Sequence, residues 1–408
     1  MGENMDIRNR AIGRRVSYWR ARRGLTRQQF GDLVDRSISW VDKVETGQRG
    51  LVRLPMLEAV ANALQIDIVA LTDDDVARRA AASPDVVEVR AIRAALGSYK
   101  VILGDGGAPP DLARLHGQVD YACSAWLSSH FTTMGRVLPG LITEAQRAVE
   151  ALDGDDRVQA VRHLVMSYRL ASSTLLKLET PETAWLAADR AMMAAHCVDD
   201  TICMARATRC VARAVACLGH PQDALDALVT MADRMEPELA SRDPQLLSLY
   251  GMLLLPAEMA AAQHGDSDLA LTMHRRADRI AGMLGPGYCD PVNVFGVTNV
   301  ALHRLAALVR MEEGGRAITY ASGIEPQALA RLPRERKAAY LLDMAEAYRQ
   351  CRQYPEATVA VTRAEQVAPE EVRRRPASHM LIRRLLDVAS GQSSLLLRQL
   401  ADRAGVAN

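Results

Sequence analysis

Apolar residues along this 408-residue chain recur at three- and four-residue intervals almost from end to end. No strand-like alternation of useful length interrupts them, so the pattern predicts an all-α protein, helix after helix. In the first segment, Ile7–Arg23, the side chains of Ile12, Val16 and Trp19 share a face. A second helix opens at Thr26, whose hydroxyl can accept a hydrogen bond from a backbone N–H two or three residues on. Phe30, Leu33 and Val34 then fall on one side. Asp35 and Arg36 make a turn. Ser37 caps a third helix with Val41 and Val44 inward and Ser39, Trp40 and Lys43 outward. Gly47 follows it and can adopt the left-handed cap. Pro55 sits in the first turn of a fourth helix, where its missing N–H costs nothing. That helix continues through Ala59, Val60, Ala61 and Leu64, and a short one around Ile68–Leu71 closes a five-helix bundle. The expected boundaries are a first domain over 1–75, a linker over 76–85 and a helical domain over 86–408.

The second domain repeats. Residues 338–371 form a helix–turn–helix unit in which Leu341, Ala345, Tyr348, Ala357, Val361, Ala364 and Pro369 take seven fixed positions. Small residues at 345, 357 and 364 let paired helices approach closely. This unit resembles a tetratricopeptide repeat, whose length is about 34 residues. Weaker copies anchor on Ala184, Ala224, Ala270 and Ala317, at intervals of 40, 46, 47 and 40 residues counted through to Ala357. Five degenerate repeats are therefore expected over 160–371, with one or two helical pairs in 86–155 and a capping helix at 377–401. Stacked pairs of this kind build a solenoid with a concave binding face. The lead-in to the fourth repeat, residues 286–303, is long and carries Tyr288, Phe295, two asparagines and His303. It reads equally as a ligand-gating loop or as a plain connector.

Residues 25–47 carry a second likeness. Leu25, Thr26, Val34, Ser37, Val41, Val44, Glu45 and Gly47 fall at the spacing of the Xre, or lambda-repressor-like, helix-turn-helix. Asp35 stands where that family usually has glycine, Gly31 where it has alanine, and Asp42 where it has serine. Charge agrees with the likeness. The chain carries a formal net charge of +1, yet residues 1–55 hold 12 Lys/Arg against 6 Asp/Glu. A basic patch on a small helical module is the footprint of phosphate binding.

Other chemistry is sparse. The sequence shows no His-Glu-x-x-His motif, nucleophile elbow, Walker loop or dinucleotide fingerprint, and GDGGAPP at 104–110 lacks the strand and G-K-[ST] of a phosphate loop. No enzyme, cofactor or metal site is expected. The seven cysteines form no C-x-x-C pair. Cys203, Cys210 and Cys217 share a helix face and read as small packed residues rather than a thiol sensor. No run of 18 apolar residues occurs and the polar N-terminus lacks a signal core, so no membrane partner and a cytoplasmic location are expected.

The resemblances imply a sequence-specific transcriptional regulator. The first domain would bind a double-stranded operator, with Arg27 and Gln28 on phosphates, Ser39, Trp40 and Lys43 in the major groove, Ser37 on either, and Arg49 and Arg53 on the flanking backbone; the alternative for Trp40 is packing against the leading helix. Such a module needs two half-sites and hence a homodimer. The order of domains is similar to that of the peptide-pheromone receptor regulators, and to the larger set of such regulators in high-GC Gram-positive bacteria. Mapping tetratricopeptide concave positions onto this chain selects Arg169, Ser173 and Lys177, then Arg206, Arg209 and Arg213, then Met252, Leu255 and Met259. Asn299, His303 and Arg310 follow, then Asp343, Glu346, Arg349 and Gln350. Their ligand would be a peptide, a small molecule or a protein. The competing reading is an interaction scaffold that uses its DNA-binding module only for localisation.

Overall fold

The computed structural model describes residues 2–23, 25–51, 54–64, 66, 71, 86–98, 111–388 and 391–406. All regular elements among them are helical. The chain divides into two compact units, residues 1–87 and 88–406.

The first unit holds α1 (Gly2–Arg22), α2 (Arg27–Leu33), α3 (Ile38–Glu45) and α4 (Leu54–Leu64). The expected fifth helix, apart from Leu71, and the linker lie outside the described residues. Phe30, Val41, Val44, Val60, Leu64 and Leu71 are sealed together with Ile12, Val16 and Trp19 of α1. Two close approaches shape this core. A Cβ on Gly13 would lie 2.2 Å from the Val44 carbonyl oxygen, so only glycine lets α1 reach α3. A Cβ on Gly31 would lie 2.6 Å from the Arg36 carbonyl oxygen, across the turn between α2 and α3.

The second unit begins with α5 (Val86–Gly97). Six antiparallel pairs follow: α6 (Leu112–Leu127) with α7 (Phe131–Ala151), α8 (Gly154–Lys177) with α9 (Pro181–Ala195), α10 (Thr201–Cys217) with α11 (Pro221–Met235), α12 (Pro244–His264) with α13 (Ser267–Leu284), α14 (Val297–Arg310) with α15 (Gly314–Ala321), and α17 (Arg334–Gln350) with α18 (Tyr354–Val367). Between the last two pairs lies α16 (Pro326–Arg331). After α18 come α19 (Pro369–Arg373), α20 (Pro376–Leu386) and α21 (Gly391–Ala404), so the expected single capping helix is broken after Leu386.

One turn recurs in all six pairs. Ser129, Glu179, Gly219, Gly265, Glu312 and Arg352 each have φ between 51° and 94°. The N–H of the next residue, as in Thr180→Leu175 at 3.0 Å or Gln353→Tyr348 at 2.8 Å, reaches back to the carbonyl five residues earlier. This is the Schellman cap, which satisfies carbonyls the helix end leaves open. Five residues beyond the left-handed position lie Ala184, Ala224, Ala270, Ala317 and Ala357, each at most 1 % exposed. The anchors expected from sequence are thus the closest-packed points of the second helices. In the α6–α7 pair the same place is held by buried Met134, which is why that pair escapes an alanine-based count.

Pro256 lies inside α12, where it removes an interior hydrogen-bond donor. Among the described residues α12 alone is long and apolar enough to cross a membrane, and 78 % of its most apolar window is buried within the unit.

The unit also closes on itself. Lys177, at the end of α8, pairs with Glu335 of α17 and Glu371 of α19. Arg336 holds Glu335, and Arg375 lies 3.0 Å from Glu371. Ser129 donates to Glu371 at 3.0 Å, and the Thr132 N–H at the start of α7 donates to Glu370 at 3.0 Å. The Lys177 ammonium also stands 5.0 Å from the Trp126 ring centroid. The end of α8, through Lys177, and the turn between α6 and α7, through Ser129 and Thr132, therefore meet α17 and α19 at one buried ionic clasp.

Candidate DNA-binding and ligand-binding sites

Local chemistry sets α2 and α3 in place. Thr26 and Gln29 form a reciprocal capping box at α2, and Ser37 accepts the Trp40 N–H at 3.2 Å to cap α3. Asp35 takes φ of 53° where glycine was absent, and the Arg36 N–H closes the turn on the Gly31 carbonyl at 2.8 Å. Gly47 adopts φ of 76° after α3. Glu45, 6 % exposed, is the hub: Arg20 of α1 and Arg27 of α2 both bind its carboxylate, the latter at 2.8 Å. Burial pushes the Glu45 carboxyl up, but the two guanidinium groups outweigh burial and hold it below its ordinary value.

The expected DNA-facing residues divide. Gln28, Ser39, Lys43 and Arg49 are exposed. Gln28 donates to Asp32 at 2.8 Å, one turn on. Ser37 is exposed while its hydroxyl serves as the α3 cap. Arg27, expected on phosphate, is drawn to Glu45 and to Asp42 at 3.3 Å. Arg53 lies outside the described residues. Two expectations are corrected. Trp40 points inward, 8 % exposed, because its large ring joins the core built around α1 instead of standing outside α3. Leu33 is 60 % exposed, since Phe30 and Val34 alone fill the space between α2 and the core. It lies beside the turn that leads to Ile38, which is 50 % exposed.

The second unit holds a cavity of about 600 Å³ that is partly open to solvent. Arg169, Lys177, Arg209, Arg213, Met252, Met259, Asn299, His303, Arg310, Asp343 and Glu346 line it, as the concave-face mapping expects. Five expected residues do not: Ser173, Arg206, Leu255, Arg349 and Gln350. Arg206 lines an adjoining void of about 20 Å³ with Arg169 and Arg209. Arg349 turns back on Glu346, its guanidinium 2.6 Å from that carboxylate, and is not in the cavity wall.

The mapping also passed over residues that do line the cavity. Arg336 belongs to α17, which starts at Arg334, four residues before the repeat read from sequence. Met380 and Arg384 come from α20 and Arg375 from its N-cap, which no repeat pattern covers. Val292, Asn293 and Val294 come from the long lead-in. That segment is a braced wall. Asp290 accepts the N–H groups of Val292 and Asn293 at 2.8 Å, and Asn293 accepts from Phe295 N–H and the Ser248 hydroxyl. Phe295 is fully buried against Gly251, where a Cβ would sit 2.0 Å from its ring. Val294 is held at φ of 64°, a strained conformation for a β-branched residue, at the cavity edge.

The electrostatics of the cavity are uneven. His303 binds the Asn299 carbonyl through Nδ1 at 2.9 Å, so that nitrogen carries the proton and Nε2 is left as an acceptor. Burial and the charge of Arg336 push its pKa down to about 3, so it is neutral at physiological pH. Glu335 is held well below the ordinary carboxylate value by Arg336 and Lys177, which outweigh its burial. Burial, with the like charges of Arg213 and Arg169, pushes Arg209 well below the usual guanidinium value. The Arg209 Nε and Asn299 Oδ1 atoms are buried without a hydrogen-bond partner among the described residues. Of the three heptad-spaced cysteines, Cys203 and Cys210 are buried and Cys217 is exposed at the cavity. Burial and Asp200 push the Cys203 thiol up to about 12, which keeps it unreactive.

Comparison with known proteins gives the following. No curated protein matches the chain. PlcR from Bacillus thuringiensis, solved in complex with the peptide PapR7 and DNA, aligns at 14% identity over 67% of this chain and 95% of its own, with a TM-score of 0.33. The apo form of the competence regulator ComR from Streptococcus vestibularis aligns at 11% identity over 86% of this chain and 98% of its own, with a TM-score of 0.26. Residues 11–74 match the family described as a helix-turn-helix domain. The first unit of this chain is therefore a helix-turn-helix domain, with α2 and α3 as its motif helices.

Proposed function

We propose that this protein is a transcriptional regulator that reads an operator with α3 and senses a ligand in the cavity of its helical-repeat unit. One observation carries the reading: residues 11–74 form a helix-turn-helix domain whose second motif helix buries Val41 and Val44 and exposes Ser39 and Lys43. Ser39 and Lys43 are the base-reading side chains, because hydroxyl and ammonium groups can meet the acceptor edges of the major groove. Gln28, at the N-terminus of α2, and Arg49, just beyond α3, contact phosphates and set the docking angle. Arg27 acts through Glu45 as a strut between α2 and α3. A single module buries little surface on DNA, so the working form is a homodimer on two half-sites. A ligand that favours one arrangement of the repeat unit shifts operator affinity only by its differential binding to the two arrangements.

Genome-wide DNA capture with the full-length protein tests this. Discrete palindromic sites are expected, and Lys43→Ala should weaken specific binding by about 1–3 kcal/mol while circular dichroism stays unchanged. Capture without discrete sites, or sites indifferent to Ser39→Ala and Lys43→Ala together, would overturn it in favour of the scaffold.

A further inference from the structure

We propose that the cavity of the second unit takes a small anionic ligand, a carboxylate or a phosphate, seated among Arg169, Arg209 and Arg213. The proposal deepens the sensing half of the reading above and rests on it. The size is right, since a cavity of about 600 Å³ falls in the range that holds drug-sized ligands. Its wall carries eight Arg and Lys side chains against four Asp and Glu. Those carboxylates do not serve the three arginines. Glu335 is bound by Lys177 and Arg336, and Glu346 by Arg349. Among the described residues no ion pair reaches Arg169, Arg209 or Arg213. Arg213 donates to a neutral hydroxyl, Ser173, at 3.1 Å, and Arg169 lies 3.8 Å from the Met166 sulfur, a weak acceptor. The buried Arg209 Nε has no acceptor at all.

Three cations gathered in a half-dry site repel one another and lose hydration, a cost that the Ser173 hydroxyl and the Met166 sulfur offset only in part. An anion removes both penalties. Guanidinium forks match the paired oxygens of carboxylate and phosphate, so the recognition is directional as well as electrostatic. The rest of the wall describes the rest of the ligand. Met252 and Met259 offer a pliable apolar surface, which suits a hydrocarbon or aromatic body. Asn299 Oδ1 and His303 Nε2 are acceptors, which suit an N–H or O–H group on that body.

The test is equilibrium titration and thermal melting of the full-length protein at constant ionic strength. The probes are phenyl phosphate, phenylacetate and phenethylamine. At least one of the two anions should bind and raise the melting temperature, and whichever binds more tightly names the anionic group. Phenethylamine, with the same ring and a positive charge, should do neither. Arg209→Met should melt at or above the wild-type temperature without ligand, since it relieves the repulsion, and should weaken anion binding by about tenfold or more. Arg213→Gln gives a second readout of the same loss should Arg209→Met fail to fold. Absence of binding by both anions, equal binding of the amine, or unchanged anion affinity in a folded variant would each overturn the proposal. None of these measurements involves DNA, so their failure leaves operator reading standing, and loss of operator reading leaves them standing.

Discussion

Burial pushes the Asp343 carboxyl up to about 6 from its ordinary 3.8, and Arg336, Arg375 and Arg310 only partly oppose this. In that interval the folded chain holds a proton that the unfolded chain has released. Stability therefore rises as pH falls from 6 toward 3.8, and above 6 an ionised Asp343 weakens the fold. Asp343→Asn should raise the melting temperature at about pH 8, with the gain shrinking below pH 6 and vanishing near 3.8. A gain that stays constant across the series would show that the carboxyl is not held in the protonated form. Single side chains also show the limits of pattern reading. Trp40 and Lys43 lie one helical turn apart on α3, yet the indole is sealed in the core and the ammonium is exposed. Heptad position alone cannot tell a groove-facing ring from a core-facing one.

Helix pairs in this chain are set by their turns. Four of the six left-handed turn positions carry a side chain: Ser129, Glu179, Glu312 and Arg352. A Cβ in that conformation crowds the following carbonyl, at a cost of about 1–2 kcal/mol, while glycine adds some unfolded-state entropy. Arg352 is exposed, so little packing opposes its replacement. Arg352→Gly should stabilise the protein by about 0.5–1 kcal/mol, read as a higher urea midpoint with an unchanged slope. A lower midpoint would mean that the Arg352 side chain contributes contacts worth more than the strain. The turn spacing was legible in the sequence because each cap and each alanine anchor lies within ten residues of the other. The α6–α7 pair was expected only as one of one or two helical pairs over 86–155, because Met134 fills the anchor position with a larger side chain.

At the scale of the molecule, the Lys177 clasp joins residues 158 and 194 positions apart. Removing one partner of a buried ion pair strands the others, at a cost of about 3–5 kcal/mol. Lys177→Met should fall near the lower end, about 3 kcal/mol, because Glu335 keeps Arg336 and Glu371 keeps Arg375. Thermal unfolding together with limited proteolysis over 334–386 measures this. A melting temperature equal to that of the wild type would show that the clasp does not hold α8 to α17 and α19. The cavity depends on the same closure, since Lys177 and Glu335 stand in its wall.

Periodicity determined the helices and the repeat intervals, because each depends on contacts within a turn or two of chain, and the resemblances to the Xre and tetratricopeptide families supplied the helix-turn-helix and the concave-face positions. Tertiary structure decided the rest. Trp40 went inward because α1 offered it a core. Arg336, Arg349 and Arg375 each pair with a carboxylate within four residues, whereas Lys177 meets Glu335 and Glu371 across 158 and 194 positions. No local pattern records those distances, and only the closing of the helical pairs on one another brings the charges together.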